Sequence, residues 1–233
     1  MKELIVITGS TLPPTDPGSG TLQVYLNQLG AAEIDTHVDF LREMPHADGG
    51  APRTLALAIA MFRDHARRFS DYERLVLTDG WDVTFYGTKE DVIRKIPMDR
   101  CLIGAAKECY PWGQHLRERT ADDTPWMYAN GGLIAGTPEN ILKFADAMAT
   151  HPMYKDRMEN QGMENLMLKE KSEAFHLDNR TELFFVLFNG YDELDFERGL
   201  PVNTLCGTRP NFIHANGHWD TTLLHERRKA SLR

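Results

Sequence analysis

The sequence has little that would indicate a disulfide-linked, zinc-ribbon or membrane-spanning protein. It has three cysteines, which form no CxxC pair and are odd in number, so neither a zinc ribbon nor a disulfide framework is expected. The longest apolar run, at 55–62 ("LALAIAMF"), is far shorter than the ~20 residues that span a bilayer. No signal-peptide core precedes the first Gly and Pro residues. These absences favour a reducing, cytoplasmic setting, which would be the host cytoplasm if a phage or virus encodes the chain.

The chain also has fewer basic than acidic residues. The chain has 26 Lys and Arg residues against 34 Asp and Glu, a formal net charge of -8, which argues against broad electrostatic binding of nucleic acid. The basic cluster "HERRKASLR" at 225–233 is interpreted as a solvated terminus, with the tail from about 222 onward flexible. No internal repeat or low-complexity linker is visible, so we expect a single domain over residues 1–233.

Strand and helix patterns alternate along the chain. Strand patterns are predicted at 3–10, 32–40, 72–79, 83–87, 100–108, 128–136 and within 174–188. Helical spacing is predicted at 22–32, 53–69, 88–96, 157–171 and from Pro138 onward, with Thr88 as an N-cap and Asp91 as an acidic variant of the capping box. This alternation predicts an α/β fold with a mostly parallel central sheet flanked by helices. In such sheets, ligands bind at the carboxyl ends of the strands.

An acidic turn stands at the carboxyl end of one predicted strand. The stretch "LVLTDGWDV" (75–83) is a buried strand followed by Asp79 and Asp82, two carboxylates three positions apart. Three explanations are open: an ordinary turn, since Asp and Gly suit turns; a pair of catalytic carboxylates; or a site for a divalent cation such as Mg²⁺ or Mn²⁺.

Two other segments favour the cation. A nucleotide-diphosphate site needs a loop after the first strand, a metal and groups around the transferred sugar. "ITGST" (7–11) supplies such a loop, and "FIHANGHW" (212–219) supplies His214 beside small residues. An imidazole is a reasonable third ligand for Mn²⁺, although a single histidine is more often part of a packed core.

Eight motifs in order resemble a known family. They are "VITGST", "DGG", "LVLTDGWDV", "CYPWG", "YANGGLIAG", "ENLML", "LDNRTELF" and "FIHANG". The set, spread over about residues 4 to 220, resembles the glycosyltransferase domain of procollagen lysyl hydroxylases and its viral and bacterial relatives. The resemblance implies a Rossmann-like single domain of the GT-A type, which uses a UDP-sugar and Mn²⁺ (or Mg²⁺). It leans towards glucose or galactose as the sugar.

The resemblance also implies roles for individual residues. Asp79, Asp82 and His214 match the metal ligands, and Asp79 also falls near the ribose. The remaining positions expected around the UDP-sugar are Thr8 and Thr11 near the nucleotide, Asn216 and Gly217 beside the diphosphate, Asn130, Gly131 and Gly132 around the sugar, and Tyr110 (or Trp112) as an aromatic over the pocket.

One segment departs from the family pattern. Where the family has an acidic run followed by Gln, this chain reads "MENQGMENLML" (158–168), with acids at Glu159 and Glu164 alone. Glu164 and Asn165 align with the last acid and the Gln. We therefore expect Glu164, Asn165 and Asn130 to contact the sugar or the acceptor as catalytic residues.

The expected activity is hexose transfer from a UDP-sugar to an acceptor hydroxyl on a glycan, a protein or a modified DNA base. The segments 12–20 and 109–124 are candidate lids that exclude water from the donor. Two alternatives stay open at this stage. One is a transferase of phage type that glycosylates a hydroxylated base in DNA, and the other is a UDP-sugar-binding module without turnover.

Overall fold

The computed structural model describes residues 1–10, 20–40, 54–80, 82–109, 124–156, 158–187, 193–215 and 221–233. Its strands are β1 (Lys2–Ser10), β2 (Asp35–Phe40), β3 (Tyr72–Asp79), β4 (Val83–Phe85), β5 (Cys101–Ala106), β6 (Tyr128–Gly136), β7 (Phe175–Asp178), β8 (Phe184–Val186), β9 (Leu194–Glu197), β10 (Leu200–Asn203) and β11 (Phe212–His214). Its helices are α1 (Gly20–Ala31), α2 (Leu55–Arg68), α3 (Lys89–Lys95), α4 (Pro138–Ala149), α5 (Asn160–Lys169) and α6 (Thr222–Ala230).

The central sheet has six strands in the order β2-β1-β3-β6-β5-β7. The pairs β1–β2, β1–β3 and β5–β7 are parallel, whereas β6 pairs antiparallel with both β3 and β5. The prediction of an α/β fold with a mostly parallel sheet is confirmed, with β6 as the reversed strand. Because β6 is reversed, its first residues lie at the edge where β1 and β3 end.

Helices cover both faces of this sheet. In β1, Leu4 and Val6 pack towards α1, and Ile5 and Ile7 pack towards α2 and α4. Burial on both faces explains why the strand reads as a continuous apolar run without alternation.

Local signals set several helix boundaries as the sequence predicts. Thr88 Oγ1 accepts a hydrogen bond from the Asp91 backbone N–H at 3.2 Å, and Thr137 Oγ1 accepts one from Asn140 N–H at 3.1 Å, with Pro138 in the first turn. These are N-cap geometries, which satisfy backbone donors that have no partner inside the helix.

Helix α5 is shorter than the predicted 157–171: it begins at Asn160 and ends at Lys169.

A second, smaller sheet completes the site edge. It has the order β4-β11-β8, with β11 antiparallel to β4 and parallel to β8. Buried Asp178, at the end of β7, accepts hydrogen bonds from the backbone N–H groups of Glu182, Leu183 and Phe184 at 2.8–2.9 Å. This carboxylate therefore fixes the turn that starts β8.

The tail is folded where the structure describes it. Residues 222–230 form α6, Leu224 is fully buried, and the Arg227 guanidinium donates to the Leu194 carbonyl at 3.0 Å. The expectation of a flexible tail therefore does not fit this helix, which a buried leucine and a backbone contact hold to β9. Among the described residues, no helix has both the length and the apolar character needed to cross a bilayer.

Candidate functional site

The candidate site lies where β1 and β3 end and β6 begins. Strand β3 ends at Asp79, which is in register with Gly9 of β1. Antiparallel β6 passes the same edge with Asn130, Gly131 and Gly132. Carboxyl ends of parallel strands are where open α/β sheets bind ligands, so the sheet places these groups at its functional edge.

Three potential metal ligands meet there. His214 Nε2 lies 3.4 Å from Asp79 Oδ2 and 3.2 Å from Asp82 Oδ1. One donor atom from each of the three residues falls within 4.8 Å of the others. We refer to Asp79, Asp82 and His214 as the triad.

Strand pairing explains how the triad forms. His214 ends β11, and its register partner is Val83, the residue after Asp82. The Ala215 N–H donates to the Asp82 carbonyl at 2.6 Å, which ties the acidic turn to the end of β11. The sequence prediction that these three side chains come together is therefore matched by the geometry.

The donor set of the triad fits a divalent cation. Two carboxylates and one imidazole are oxygen and nitrogen ligands of the kind Mn²⁺ accepts. The His214 side chain is 2% exposed, and those of Asp79 and Asp82 are 34% and 23% exposed. Two anionic groups side by side at a partly open edge attract a cation, and the open side leaves room for substrate oxygens.

A bulge in β6 forms the floor of the site. The pairing of β5 with β6 shifts between Ile103, which pairs with Ile134, and Gly104, which pairs with Asn130. The shift releases the Gly131 and Gly132 N–H groups from the β5 ladder, and side chains accept from them instead: Gln161 Oε1 at 3.3 Å and Asn130 Oδ1 at 3.3 Å. Bulges of this type are common next to active sites because they redirect the chain.

Both glycines of the bulge are closely surrounded. A Cβ at Gly132 would lie 2.4 Å from Asp79 Oδ2, and a Cβ at Gly131 would lie 3.0 Å from Glu164 Oε2. The glycines therefore separate the triad from a second acidic group. From these contacts and the 3.8 Å between consecutive Cα atoms, the Asp79 and Glu164 carboxyl oxygens are at most about 12 Å apart.

Glu164 is a buried carboxyl group on α5. It is fully buried; its Oε1 accepts from Asn160 Nδ2 at 3.3 Å, and Oε2 has no hydrogen-bond partner among the described residues. Burial raises the pKa of Glu164 to about 8, which the hydrogen bond from Asn160 offsets only in part. At neutral pH this side chain is therefore largely a neutral acid that can both donate and accept hydrogen bonds.

Asn165 faces the backbone of β6. Its Oδ1 accepts from the Ala129 N–H at 2.8 Å, and its Nδ2 donates to the Gln161 carbonyl at 2.9 Å. The amide thereby holds α5 against β6 beside the bulge. This placement supports a role in positioning the floor of the site, and the predicted catalytic role of Asn165 stays a prediction.

Thr8 lies at the carboxyl end of β1. It is 1% exposed, and its Oγ1 has no hydrogen-bond partner among the described residues. The neighbouring Thr78 hydroxyl, by contrast, is 3.0 Å from the Tyr25 hydroxyl of α1. An unsatisfied hydroxyl at the ligand-binding edge is consistent with the predicted contact to a nucleotide.

Several predicted positions lie outside the described residues: Thr11, Tyr110, Trp112, Asn216, Gly217 and most of the candidate lid segments 12–20 and 109–124. Two residues that the sequence did not single out, Asn160 and Gln161, contact Glu164 and Gly131. The signal that could have found them is the spacing of Asn160, Gln161, Glu164 and Asn165, which puts four polar side chains on adjacent turns of a helix in an otherwise buried setting.

Comparison with known proteins bears on the fold. No protein-family model and no curated protein matches the chain. A glycosyltransferase involved in the glycosylation of the major capsid of PBCV-1 is similar in structure, with a TM-score of 0.54, 12% identity and 98% of each chain covered. The galactosyltransferase LgtC, solved with donor and acceptor sugar analogs, is similar with a TM-score of 0.50 and 14% identity, over 97% of this chain and 95% of that chain.

These similarities establish the architecture. Both neighbours are GT-A glycosyltransferases, so the predicted GT-A fold is confirmed. The identities are too low to carry the activity of either neighbour over to this chain. The finer resemblance to procollagen lysyl hydroxylases has no counterpart among these neighbours.

Proposed function

We propose that the chain is a glycosyltransferase that moves a hexose, glucose or galactose, from a UDP-sugar to an acceptor hydroxyl and depends on Mn²⁺. The observation that carries the proposal is the triad, Asp79, Asp82 and His214, at the ligand-binding edge of a GT-A fold. The fold alone does not fix a function, whereas the donor set of this site indicates a specific chemistry.

The triad would hold the metal. A divalent cation bound there would act as a Lewis acid that stabilises the negative charge developing on the departing diphosphate. Asp79 and Asp82 supply anionic oxygens, and His214 supplies a neutral nitrogen, so the site keeps a net negative charge towards Mn²⁺. Mn²⁺ fits this mixed donor set better than Mg²⁺, which prefers oxygen ligands.

Groups beside the triad would position the substrates. Thr8 has a hydroxyl at the end of β1 that makes no hydrogen bond within the described residues, and this hydroxyl would donate a hydrogen bond to the nucleotide or accept one from it. The backbone of Gly131 and Gly132 can approach a sugar closely because neither residue has a side chain. Glu164, on the far side of the bulge, is a neutral acid suited to a sugar or acceptor hydroxyl. Fixing donor and acceptor in this way lowers the entropic part of the barrier.

The alternatives find less support. Residues 222–230, which include most of the basic cluster, form a helix attached to β9, and the net charge of -8 opposes binding of a DNA acceptor. A UDP-sugar-binding module without turnover would keep the triad but have no need for a buried, protonated Glu164. The ordered motifs support a finer relationship with the procollagen lysyl hydroxylase type as part of this proposal, and the proposed acceptor is a hydroxyl group on a glycan or a protein.

The test is a screen of UDP-sugars for UDP release with Mn²⁺ and no acceptor. We expect release from UDP-glucose or UDP-galactose that stops with a chelator and resumes when Mn²⁺ is added back. Asp82→Asn and His214→Ala should each lower the rate on the order of 100-fold or more, since the metal contributes several kcal/mol. His176→Ala, which removes an exposed histidine of β7, is the matched control and should keep the wild-type rate. The proposal would be contradicted by wild-type activity of the His214→Ala variant, or by a rate of UDP release that is the same with and without Mn²⁺.

A further inference from the structure

We infer that Asn130 is a positioning residue for the metal site: its side-chain oxygen holds the His214 ring with Nδ1 protonated, so that Nε2 presents its lone pair between Asp79 and Asp82. The inference rests on the proposed metal-dependent function and assigns Asn130 a role other than contact with the sugar. It is carried by two hydrogen bonds that meet at one atom.

The side chains of His214 and Asn130 are in contact inside the protein. His214 Nδ1 lies 3.1 Å from Asn130 Oδ1, and both side chains are nearly inaccessible, each residue being 2% exposed. Because the pair is buried, a mismatch of donor and acceptor would leave polar atoms unsatisfied at a cost of about 1–3 kcal/mol. The two atoms must therefore form one donor and one acceptor.

Asn130 is the acceptor of this hydrogen bond. The two ends of an asparagine amide are hard to tell apart, and the hydrogen-bond network must decide between them. The Gly132 backbone N–H points to the same Asn130 atom, at 3.3 Å. A backbone N–H can only donate, so this atom is the oxygen. His214 Nδ1 must then carry the proton that Asn130 accepts.

The proton on Nδ1 determines which nitrogen of the His214 ring carries the lone pair. A neutral imidazole with Nδ1 protonated has its lone pair on Nε2, the atom that lies 3.2 Å from Asp82 Oδ1 and 3.4 Å from Asp79 Oδ2. The Asn130 contact fixes this tautomer by itself, and a lone pair beside two anionic oxygens makes a site that attracts a cation. Metal-binding histidines commonly donate their other N–H to an oxygen, which fixes the tautomer and the ring orientation. Asn130 does this here.

The bulge explains why this asparagine is in reach. Asn130 lies at the register shift of β6, and its side chain is directed towards β11. The Gly132 backbone N–H donates a hydrogen bond to Asn130 Oδ1 and so holds the amide in this orientation. The same bulge thus supplies both the floor of the site and the residue that orients its imidazole.

The main test is Mn²⁺ affinity, measured by calorimetry on the full chain. We expect Asn130→Ala to weaken Mn²⁺ binding about 10- to 100-fold, and Asn130→Asp, which keeps an acceptor oxygen, to stay close to wild type. Asn140→Ala is the control, because Asn140 is a buried asparagine of α4 (4% exposed) whose amide donates to the Met98 carbonyl at 2.9 Å and does not contact the triad. It should lower stability without changing Mn²⁺ affinity. Wild-type affinity in Asn130→Ala would overturn the inference, as would an equal loss in Asn130→Asp.

A second readout does not need the metal. In ¹⁵N-histidine-labelled, metal-free protein at a pH where imidazoles are neutral, two-bond ¹H–¹⁵N spectra distinguish the two tautomers, and His214→Gln identifies the His214 signals. We expect the Nδ1–H form in the wild type and a mixture or the Nε2–H form in Asn130→Ala. An Nε2–H form in the wild type would refute the inference. If this spectrum is as expected while the wild type binds no Mn²⁺, the metal proposal fails and the Asn130–His214 relationship stands.

Discussion

Gly132 lies against Asp79 so closely that a Cβ at position 132 would come within 2.4 Å of Asp79 Oδ2, and within 2.9 Å of His214 Cε1. The absence of a side chain at this position is therefore a part of the triad's geometry.

Substituting Gly132 by alanine should disrupt the triad. The added methyl group has to displace the Asp79 carboxylate or the His214 ring, because contacts below 3 Å are not tolerated. We expect a loss of Mn²⁺ affinity of at least about 10-fold, since each 1.4 kcal/mol of distortion costs that factor. Gly30→Ala in α1, where a Cβ would meet nothing within 4 Å, is the matched control and should leave affinity unchanged. Unchanged Mn²⁺ binding in Gly132→Ala would show that the metal does not use Asp79 or His214.

The stability of the protein should depend on pH through Glu164. Burial raises the folded-state pKa of Glu164 to about 8, above the ordinary value near 4.5. Between pH 4.5 and pH 8 the Glu164 carboxyl group therefore stays protonated in the folded protein, whereas it ionises in the unfolded chain. The wild type should therefore lose stability relative to Glu164→Gln as pH rises from about 4.5 to 8, by on the order of a few kcal/mol, and the difference should then level off. Urea unfolding of both proteins at pH 5, 6, 7 and 8 measures it. A difference that does not vary with pH would mean that Glu164 ionises freely.

Removing the Asp178 carboxylate should destabilise the fold. Asp178→Ala leaves the backbone N–H groups that start β8 without their acceptor, at an expected cost of about 3 kcal/mol or more. Because β8 pairs with β11, which carries His214, Mn²⁺ binding should weaken as well. Urea unfolding and calorimetry test both effects. Asp146→Ala, at an exposed pair with Arg63, is the control and should change stability by less than about 1 kcal/mol.

Replacing Thr8 by valine should separate stability from nucleotide binding. Valine keeps the shape of the buried side chain and removes a hydroxyl that has no partner among the described residues, so the melting temperature should stay the same or rise slightly. If this hydroxyl contacts the nucleotide, UDP affinity should fall by about 5- to 10-fold, the value of one hydrogen bond.

The control for this experiment is Thr84→Val in β4. Its hydroxyl is likewise buried and without a partner in the described part of the chain, but it lies on the smaller sheet. It should show the same thermal behaviour with unchanged UDP affinity. Equal UDP affinity in wild type and Thr8→Val would remove Thr8 from the nucleotide site.

The parts of the fold that local patterns control were predictable from the sequence. Thr88 and Pro138 mark helix starts because caps act over three or four residues, and continuous apolar runs mark strands covered on both faces. The acidic turn and His214 could be joined because strand ends gather at one edge of an α/β sheet. These rules need no knowledge of which strands are neighbours.

The bulge and its contacts were not predictable in this way. The pattern at 128–136 predicts a strand, but it does not show that β6 lies reversed between β3 and β5 or that its pairing with β5 shifts after Asn130. Which backbone groups such a bulge leaves free depends on the register of both neighbours. The roles of Gln161 and Asn165, which bind that backbone, depend on it in turn. The hydrogen bond from His214 to Asn130 joins two strands of different sheets, so no local pattern contains it.

Cation binding at the triad, as proposed, would also be a measure of complete folding. Asp82 and His214 are separated by more than half of the chain, and they meet only because β11 pairs with β4. A nascent chain that ends before β11 has both carboxylates but lacks the imidazole, and the unfolded chain has no means of holding all three donors together. A cation that needs the assembled site would therefore bind the folded state alone and raise the free energy of unfolding. This increase grows with the logarithm of the ratio of the cation concentration to its dissociation constant. Cation supply would thus act on the lifetime of the protein as well as on its chemistry.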